Sequence, residues 1–172
     1  MLTNKFKINY SIGSVANGIK TDSFTFFLLF FYSNIIGLNP GLAGSAIFIA
    51  LCIDAVTDPL MGTISDRTNT SLGRRHPYMM ISFIPMSLGY IFLFAPRQDW
   101  DMSQSDLFVW MTIFTVLTRI GMTLFDIPHR AFGGEVTKSY KERTILMSWR
   151  EMFGWIAGLS NAFLGYGIFF AS

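Results

Sequence analysis

Two carboxylates, Asp54 and Asp58, lie in a long apolar stretch of this 172-residue sequence. They are four residues apart, so on a helix both side chains occupy one face, about 6 Å apart. Two stacked anions repel each other unless a cation or a proton lies between them. Carboxylate oxygens are hard ligands that suit Na⁺, Li⁺ or H⁺. The pair therefore predicts a cation site, and the alternative is a salt bridge to Lys20 or to another helix.

A second polar group, Arg119, Thr123 and Asp126, recurs at helical spacing in another apolar stretch. These side chains form a stripe on one helix face, which is typical of a helix that borders a cavity rather than lipid. Asp accepts hydroxyl hydrogen bonds and Arg donates several, so the stripe suits a hydroxyl-rich solute. A structural salt bridge between helices is the alternative.

The composition indicates a membrane protein. Apolar residues make up 51% of the chain and charged residues only 14%, against roughly 25% charged in soluble domains. So much apolar mass excludes disorder, and a formal charge of +2 gives no sign of a nucleic-acid partner. Cys52 is the only cysteine, which excludes an internal disulfide or a cysteine-built metal site. No nucleotide-binding or nucleophile motif occurs, so we expect neither an enzyme nor a cofactor other than a coupling ion.

The charge-free stretches predict an all-α membrane protein with five transmembrane helices. About 20 apolar helical residues cross a bilayer, and Asn39-Pro40-Gly41 divides a first stretch that is too long for one span. The predicted spans are residues 12–38, 42–65, 78–95, 107–127 and 145–171, joined on one side by the loops 66–77 and 128–144. A charge inside a span costs about 2.5–3.5 kcal/mol. The acids above must therefore be paired, hydrated or bound to an ion.

The distribution of basic residues predicts the orientation. One side of the membrane receives eight of them: Lys5, Lys7, Arg67, Arg74, Arg75, Lys138, Lys141 and Arg143. The other side receives only Arg97. By the positive-inside rule the N-terminus is cytoplasmic. We expect a multi-pass protein of the plasma or inner membrane, with the lipid bilayer as its surroundings.

Two blocks of the sequence resemble the glycoside–pentoside–hexuronide:cation symporters, the melibiose permease-like branch of the major facilitator superfamily. The first block is Asp54-Ala-Val-Thr-Asp58-Pro59, Gly62-Thr-Ile-Ser-Asp66-Arg67 and Gly73-Arg74-Arg75-His76-Pro77-Tyr78. The second is Asp126-Ile127-Pro128, Gly134-Glu135, Tyr140, Glu142-Arg143-Thr144 and Arg150. The blocks occur in the order that the family has, and the resemblance extends over nearly the whole chain.

The resemblance implies an incomplete N-terminal bundle of a major facilitator fold and a cation-coupled symporter that works by alternating access. Asp54 and Asp58 match the family's cation-site acids. Asp126 and Thr123 match positions near the sugar and the cation, and Arg150 matches an arginine that lines the cavity. Six further residues resemble a cytoplasmic charge lock that stabilises one conformational state: Asp66, Arg67, Arg74, Arg75, Glu142 and Arg143.

Three positions depart from the family pattern. Gly18 stands where a first-span acid contacts galactosides, Arg130 stands where a tryptophan stacks on the sugar, and Leu51 replaces an arginine before the paired acids. Asp22 lies one turn beyond Gly18 and is a candidate substrate contact, as is Arg119. The departures favour an anionic solute such as a hexuronide, or a lipid-like solute, over a galactoside.

The resemblance also implies a larger protein. Family members have about twelve spans, and five are predicted here. We therefore expect an N-terminal fragment that needs a missing C-terminal half and carries a small-molecule solute with Na⁺ or H⁺. The alternative is a five-span membrane partner or scaffold that does not transport.

Overall fold

The computed structural model describes residues 3–165 and residue 167, apart from the side chains of residues 25 and 26. Throughout this part of the chain every regular element is helical, which confirms the all-α prediction. The helices are α1 (Asn4–Asp22), α2 (Pro40–Arg67), α3 (His76–Ile81), α4 (Phe83–Leu93), α5 (Gln104–Glu135) and α6 (Tyr140–Leu164). Two π-helical segments, Ser23–Leu28 and Phe31–Ile36, follow α1, and a 3₁₀ turn, Gln98–Trp100, precedes α5.

Two of the described helices, α2 and α5, are long and apolar enough to cross a bilayer. They contain 28 and 32 residues, and their most apolar segments have mean hydropathies of 1.7 and 1.6. α2 carries Asp54 and Asp58 of the predicted cation site, and α5 carries the polar stripe of Arg119, Thr123 and Asp126.

The chain divides into two compact units. The first comprises residues 1–28 and 131–172, and the second comprises residues 29–130. The first unit therefore contains α1 and α6, whereas the second contains α2, α3, α4 and most of α5.

In the first unit, α1 and α6 run parallel and approach closely through small residues. Ser14 faces Arg150, Gly18 faces Gly154 and Asp22 faces Gly158, a constant offset of 136 residues. A Cβ atom on Gly18 would overlap the backbone of Gly154. Small residues at such a contact let two helix backbones meet without intervening side chains.

In the second unit, a tight turn starts α2 at the predicted break. Gly37 adopts a φ of 88°, a left-handed conformation that suits glycine. The Asn39 side chain caps α2 by accepting a hydrogen bond from the Gly41 N–H at 2.8 Å. The Gln104 side chain stabilises the same turn through two hydrogen bonds of 2.8 Å. Its amide N–H donates to the Gly37 carbonyl, and its amide oxygen accepts from the Asn39 N–H.

The predicted third span is interrupted near its start. α3 ends at Ile81 and α4 begins at Phe83, with Ser82 in a turn between them. Pro85 has no N–H to bond the Ile81 carbonyl, so one α-helical hydrogen bond is missing at this point.

Two other helices extend past the predicted spans. α1 begins at Asn4, and α5 continues through Pro128 to Glu135. Residues 128–135, assigned to a loop from the sequence, are therefore helical, and the connection to α6 shortens to residues 136–139. A proline removes one backbone hydrogen bond, which a long helix tolerates. α6 covers the predicted fifth span as far as Leu164, whereas residues 166 and 168–171 of that span lie outside the described residues.

Candidate ion and solute site

The Asp54 carboxylate of α2 forms an ion pair with the Arg119 guanidinium of α5. Both side chains are about four-fifths buried, with exposures of 21% and 19%. A charge that is largely buried needs an opposite charge beside it, because an uncompensated one is strongly destabilising. For Asp54, the structure therefore shows the pairing to another helix that the sequence left open.

Asp58, one turn along α2, has a different partner. The Thr123 hydroxyl donates a hydrogen bond to Asp58 Oδ1 at 2.7 Å. This contact and the Asp54–Arg119 contact share an offset of 65 residues, so α2 and α5 run parallel and present two successive polar rungs. In the described part of the chain Asp58 forms no ion pair. Among the described residues, the Thr123 hydroxyl is the side-chain partner of the Asp58 carboxylate.

Asp126 continues the polar face of α5 and pairs within its own helix. Arg130 Nε lies 2.7 Å from Asp126 Oδ2, an i,i+4 pair in which the Arg130 side chain is 55% exposed and that of Asp126 15%. Five charged residues of α2 and α5 have been described so far, and their formal charges sum to −3 + 2 = −1. They are Asp54, Asp58, Asp126, Arg119 and Arg130. The site therefore has the charge that one monovalent cation would neutralise.

Two buried oxygens at this site are without hydrogen-bond partners among the described residues. They are Asp54 Oδ1 and Thr57 Oγ1. Thr57 follows Asp54 by three residues, so both side chains lie on one side of α2. Buried polar atoms normally have a partner, and oxygens of this kind fit the ligand set of a hard cation. Thr57 was not among the residues predicted from the sequence, although a hydroxyl three residues after an acid in an apolar stretch was a signal for it.

Comparison with known proteins supplies the family. Residues 9–172 match the model of the MFS/sugar transport protein family, MFS_2. The chain belongs to this family. The match confirms the resemblance found in the sequence and places the chain in a membrane.

Several curated symporters are similar to this major facilitator chain. It is 34% identical to the putative glycoside/cation symporter YagG of Escherichia coli over 149 residues, which cover 87% of the chain and 32% of that protein. It is 29% identical to the inner membrane symporter YicJ of the same organism, covering 95% and 35%. It is 31% identical to the sodium-dependent lysophosphatidylcholine symporter 1-A of Danio rerio, covering 91% and 30%. The chain spans about a third of the length of these relatives, and none of the three is named as an enzyme, in line with the sequence analysis.

Two predicted substrate contacts of the major facilitator chain, Asp22 and Arg150, lie in the first unit. The Asp22 carboxylate lies against Gly158, where a Cβ atom would come within 2.6 Å of Oδ2. Arg150 is 3% exposed, and its guanidinium contacts the neighbouring Glu151 carboxylate at 2.6 Å. Asp22 and Arg150 are thus held along the α1–α6 contact, whereas the acids and Arg119 belong to the second unit.

The predicted charge-lock residues also divide between the units. In the second unit Arg75, with a buried side chain, donates to Asp66 Oδ1 at 2.8 Å, and Arg67 and Arg74 are exposed. This pair joins the end of α2 to the start of α3.

In the first unit, Glu142 and Arg143 both contact Thr137 before α6. Glu142 accepts a hydrogen bond from the Thr137 hydroxyl at 2.9 Å, and Arg143 donates to the Thr137 carbonyl at 3.4 Å. Glu142 also bonds through its N–H to Ser139, the N-cap of α6. Glu142 and Arg143 thereby fix the start of the helix.

The geometry explains one departure from the family pattern. Gly18 occupies the position of the first-span acid, and its Cα faces the backbone of Gly154. No side chain fits there while α1 and α6 keep this separation. An acid on this helix has room at Asp22, one turn along, because Gly158 opposite it is also a glycine.

Proposed function

We propose that the protein is a cation-coupled symporter of a small organic solute that works by alternating access. In this proposal the chain supplies the first five spans and operates with a C-terminal half like that of its longer relatives. The observation that carries the proposal is Asp58, an acid within an apolar helix whose charge is met by the Thr123 hydroxyl and by no basic residue in the described part of the chain. The Asp58 side chain is half-buried, and a cation or a proton would neutralise such an acid within a membrane helix.

The coupling ion in this proposal is Na⁺ or H⁺, held between the two rungs of α2 and α5. Asp58 supplies the charge. Thr57 Oγ1 supplies a neutral oxygen, and Asp54 Oδ1 supplies an oxygen of the carboxylate that also pairs with Arg119. Both oxygens lack hydrogen bonds among the described residues. Thr123 orients the Asp58 carboxylate. Three or more oxygens of this type form a site for a hard cation, and the carboxylate alone suffices for a proton.

The solute in this proposal is sugar-like and carries hydroxyl groups, with an anionic member such as a uronide favoured. Asp126 accepts hydrogen bonds from hydroxyls, and the half-exposed guanidinium of Arg130 can pair with a carboxylate. Asp22 and Arg150 are the further candidate contacts, and Arg119 borders the ion. Among relatives, the names of a glucuronide carrier homolog and an isoprimeverose transporter support a sugar-like solute.

Alternating access requires a lock on the cytoplasmic side, and we assign it to the charged ends of α2 and α6. Asp66 and Arg75 form one part, with Arg67 and Arg74 beside them. Glu142 and Arg143 form the other part at the start of α6. The N-terminus is cytoplasmic in this arrangement, as the positive-inside rule predicts.

The substitution Asp58→Asn tests the ion site. It keeps the shape of the side chain and removes the charge, so we expect cation-driven solute uptake into vesicles to fall at least tenfold while membrane expression persists, since ~1.4 kcal/mol of lost binding is a factor of ten. The matched control is Asp99→Asn, which neutralises an exposed acid outside the predicted spans. Cation-driven uptake that is equal in both variants would refute the assignment of Asp58.

A further inference from the structure

Arg119 places a permanent positive charge inside the proposed ion site. Its guanidinium pairs with Asp54, and both side chains are about four-fifths buried. An arginine side chain is a charged donor in proteins. Breaking such a pair by removing one partner leaves an uncompensated charge in a poorly solvated place. Arg119 is therefore a fixed part of the electrostatics that an entering cation meets.

We propose that Arg119 is a tethered cation that determines how tightly the site binds its coupling ion. By neutralising Asp54 it leaves Asp58 as the one charged ligand for one monovalent cation, and its own charge repels that cation enough to permit release. This inference rests on the proposed function, because it concerns the specificity of the same site. It assigns Arg119 to the ion, whereas the sequence analysis assigned it to the solute.

The net charge of the two rungs determines how strongly an entering cation is attracted. Asp54, Asp58 and Arg119 sum to −1 + −1 + 1 = −1. The two carboxylates are one helical turn apart, so the guanidinium on Asp54 lies within about two turns of an ion on Asp58. At an effective permittivity of about 20, a unit charge at such a distance changes ion affinity by roughly tenfold or more. Without Arg119 the two acids would carry −2 and would hold a cation more tightly.

Two single variants change this summed charge in opposite directions, and a double variant restores it. Arg119→Gln makes the sum −2 and should lower the Na⁺ concentration for half-maximal uptake by about tenfold. Asp54→Asn makes the sum 0 and should raise that concentration by about tenfold. The double variant returns the sum to −1 and should lie within about threefold of the unsubstituted protein, since the net charge that an entering cation meets is restored.

Two further variants serve as controls. Arg119→Lys keeps a positive charge, so its Na⁺ concentration for half-maximal uptake should lie closer to that of the unsubstituted protein than does that of Arg119→Gln. Arg97→Gln removes an arginine that is 73% exposed in the connection before α5 and should change nothing. All variants are reconstituted into liposomes, and uptake is measured against Na⁺ concentration and against pH.

The outcomes separate this inference from the proposed function. An unsubstituted protein that responds to neither Na⁺ nor pH refutes the symport itself. A protein that responds, but in which both single variants shift affinity in one direction and the double variant recovers nothing, shows a merely structural ion pair and overturns the role of Arg119. If Arg119→Gln fails to accumulate, the double variant decides: recovered affinity supports the tethered cation, and weak affinity in a folded protein overturns it.

Discussion

At the scale of single residues, the structure separates two acids that the sequence treats alike. Asp54 and Asp58 have the same type, spacing and apolar surroundings, and spacing alone offers one cation site for both. The structure pairs Asp54 with Arg119 and leaves Asp58 with the Thr123 hydroxyl. The difference arises from α5, because its residues at the two opposing positions are a cation and a neutral donor.

The hydrogen bond from Thr123 gives a prediction at this scale. Thr123→Val preserves the branched shape and removes the donor that orients the Asp58 carboxylate. The cation concentration for half-maximal uptake should therefore rise by about tenfold, which corresponds to ~1.4 kcal/mol of lost binding. Thr123→Ser retains the hydroxyl and should recover most of the affinity. Equal behaviour of the valine and serine variants would show that the hydroxyl does not support the site.

At the scale of elements, glycine positions determine which helices approach closely. α1 and α6 meet at Gly18 and Gly154, where a single added carbon would overlap the opposite backbone. α4 and α5 meet in the same way, since a Cβ on Gly89 would clash with Thr118 and one on Gly121 with Met86. By contrast, the contacts described between α2 and α5 are an ion pair and a hydrogen bond between side chains. Glycines therefore let the backbones of α1 and α6, and of α4 and α5, approach closely, whereas side chains join α2 to α5.

The α1–α6 contact predicts a stability difference between two glycine positions. Gly18→Ala should destabilise the protein by about 1–3 kcal/mol, the usual cost of overpacking, and should lower its melting temperature in detergent. Gly44→Ala, at a glycine with open space around it, should be neutral or stabilise by up to about 1 kcal/mol through helix propensity. Identical melting temperatures for the two variants would mean that α1 and α6 do not approach at Gly18.

At the scale of the whole molecule, family membership and membrane location are established, and the number and direction of the spans remain predictions. Only α2 and α5 among the described helices pass a test of length and hydropathy. The interrupted helices α3 and α4 are each too short to cross alone, since about 20 residues are needed. Together they cover residues 76–93, so they must act as one span for the predicted topology to hold.

Cysteine labelling tests that topology directly. Cys52 is the single cysteine, so Cys52→Ser gives a background without thiols. On this background we expect Ser71→Cys to react with an impermeant maleimide only from the cytoplasmic side. Asp99→Cys, in the connection beyond α4, should react only from the opposite side. Labelling of both positions from one side would show that α3 and α4 do not cross the membrane.

The sequence alone determined the membrane class, the all-helical structure, the family and the polar residues of interest. These follow from composition, from the cost of charges in an apolar stretch and from motif order, all of which are local or additive along the chain. The break at Asn39-Pro40-Gly41 was visible for the same reason. The interruption at Ser82 and the continuation of α5 past Pro128 could not be distinguished from the sequence, because a proline in an apolar stretch accompanies both.

Only the tertiary structure decided which charges meet. Arg119 pairs with Asp54, and Thr123 with Asp58, at a common offset of 65 residues. This offset depends on the axial position of α5 relative to α2, and no local sequence pattern encodes that position. The same holds for Gly18, whose contact with Gly154 explains why the acid on this helix stands at Asp22. Partners separated by more than 60 residues are selected by packing, so the chemistry of this site becomes specific only when the helices are assembled.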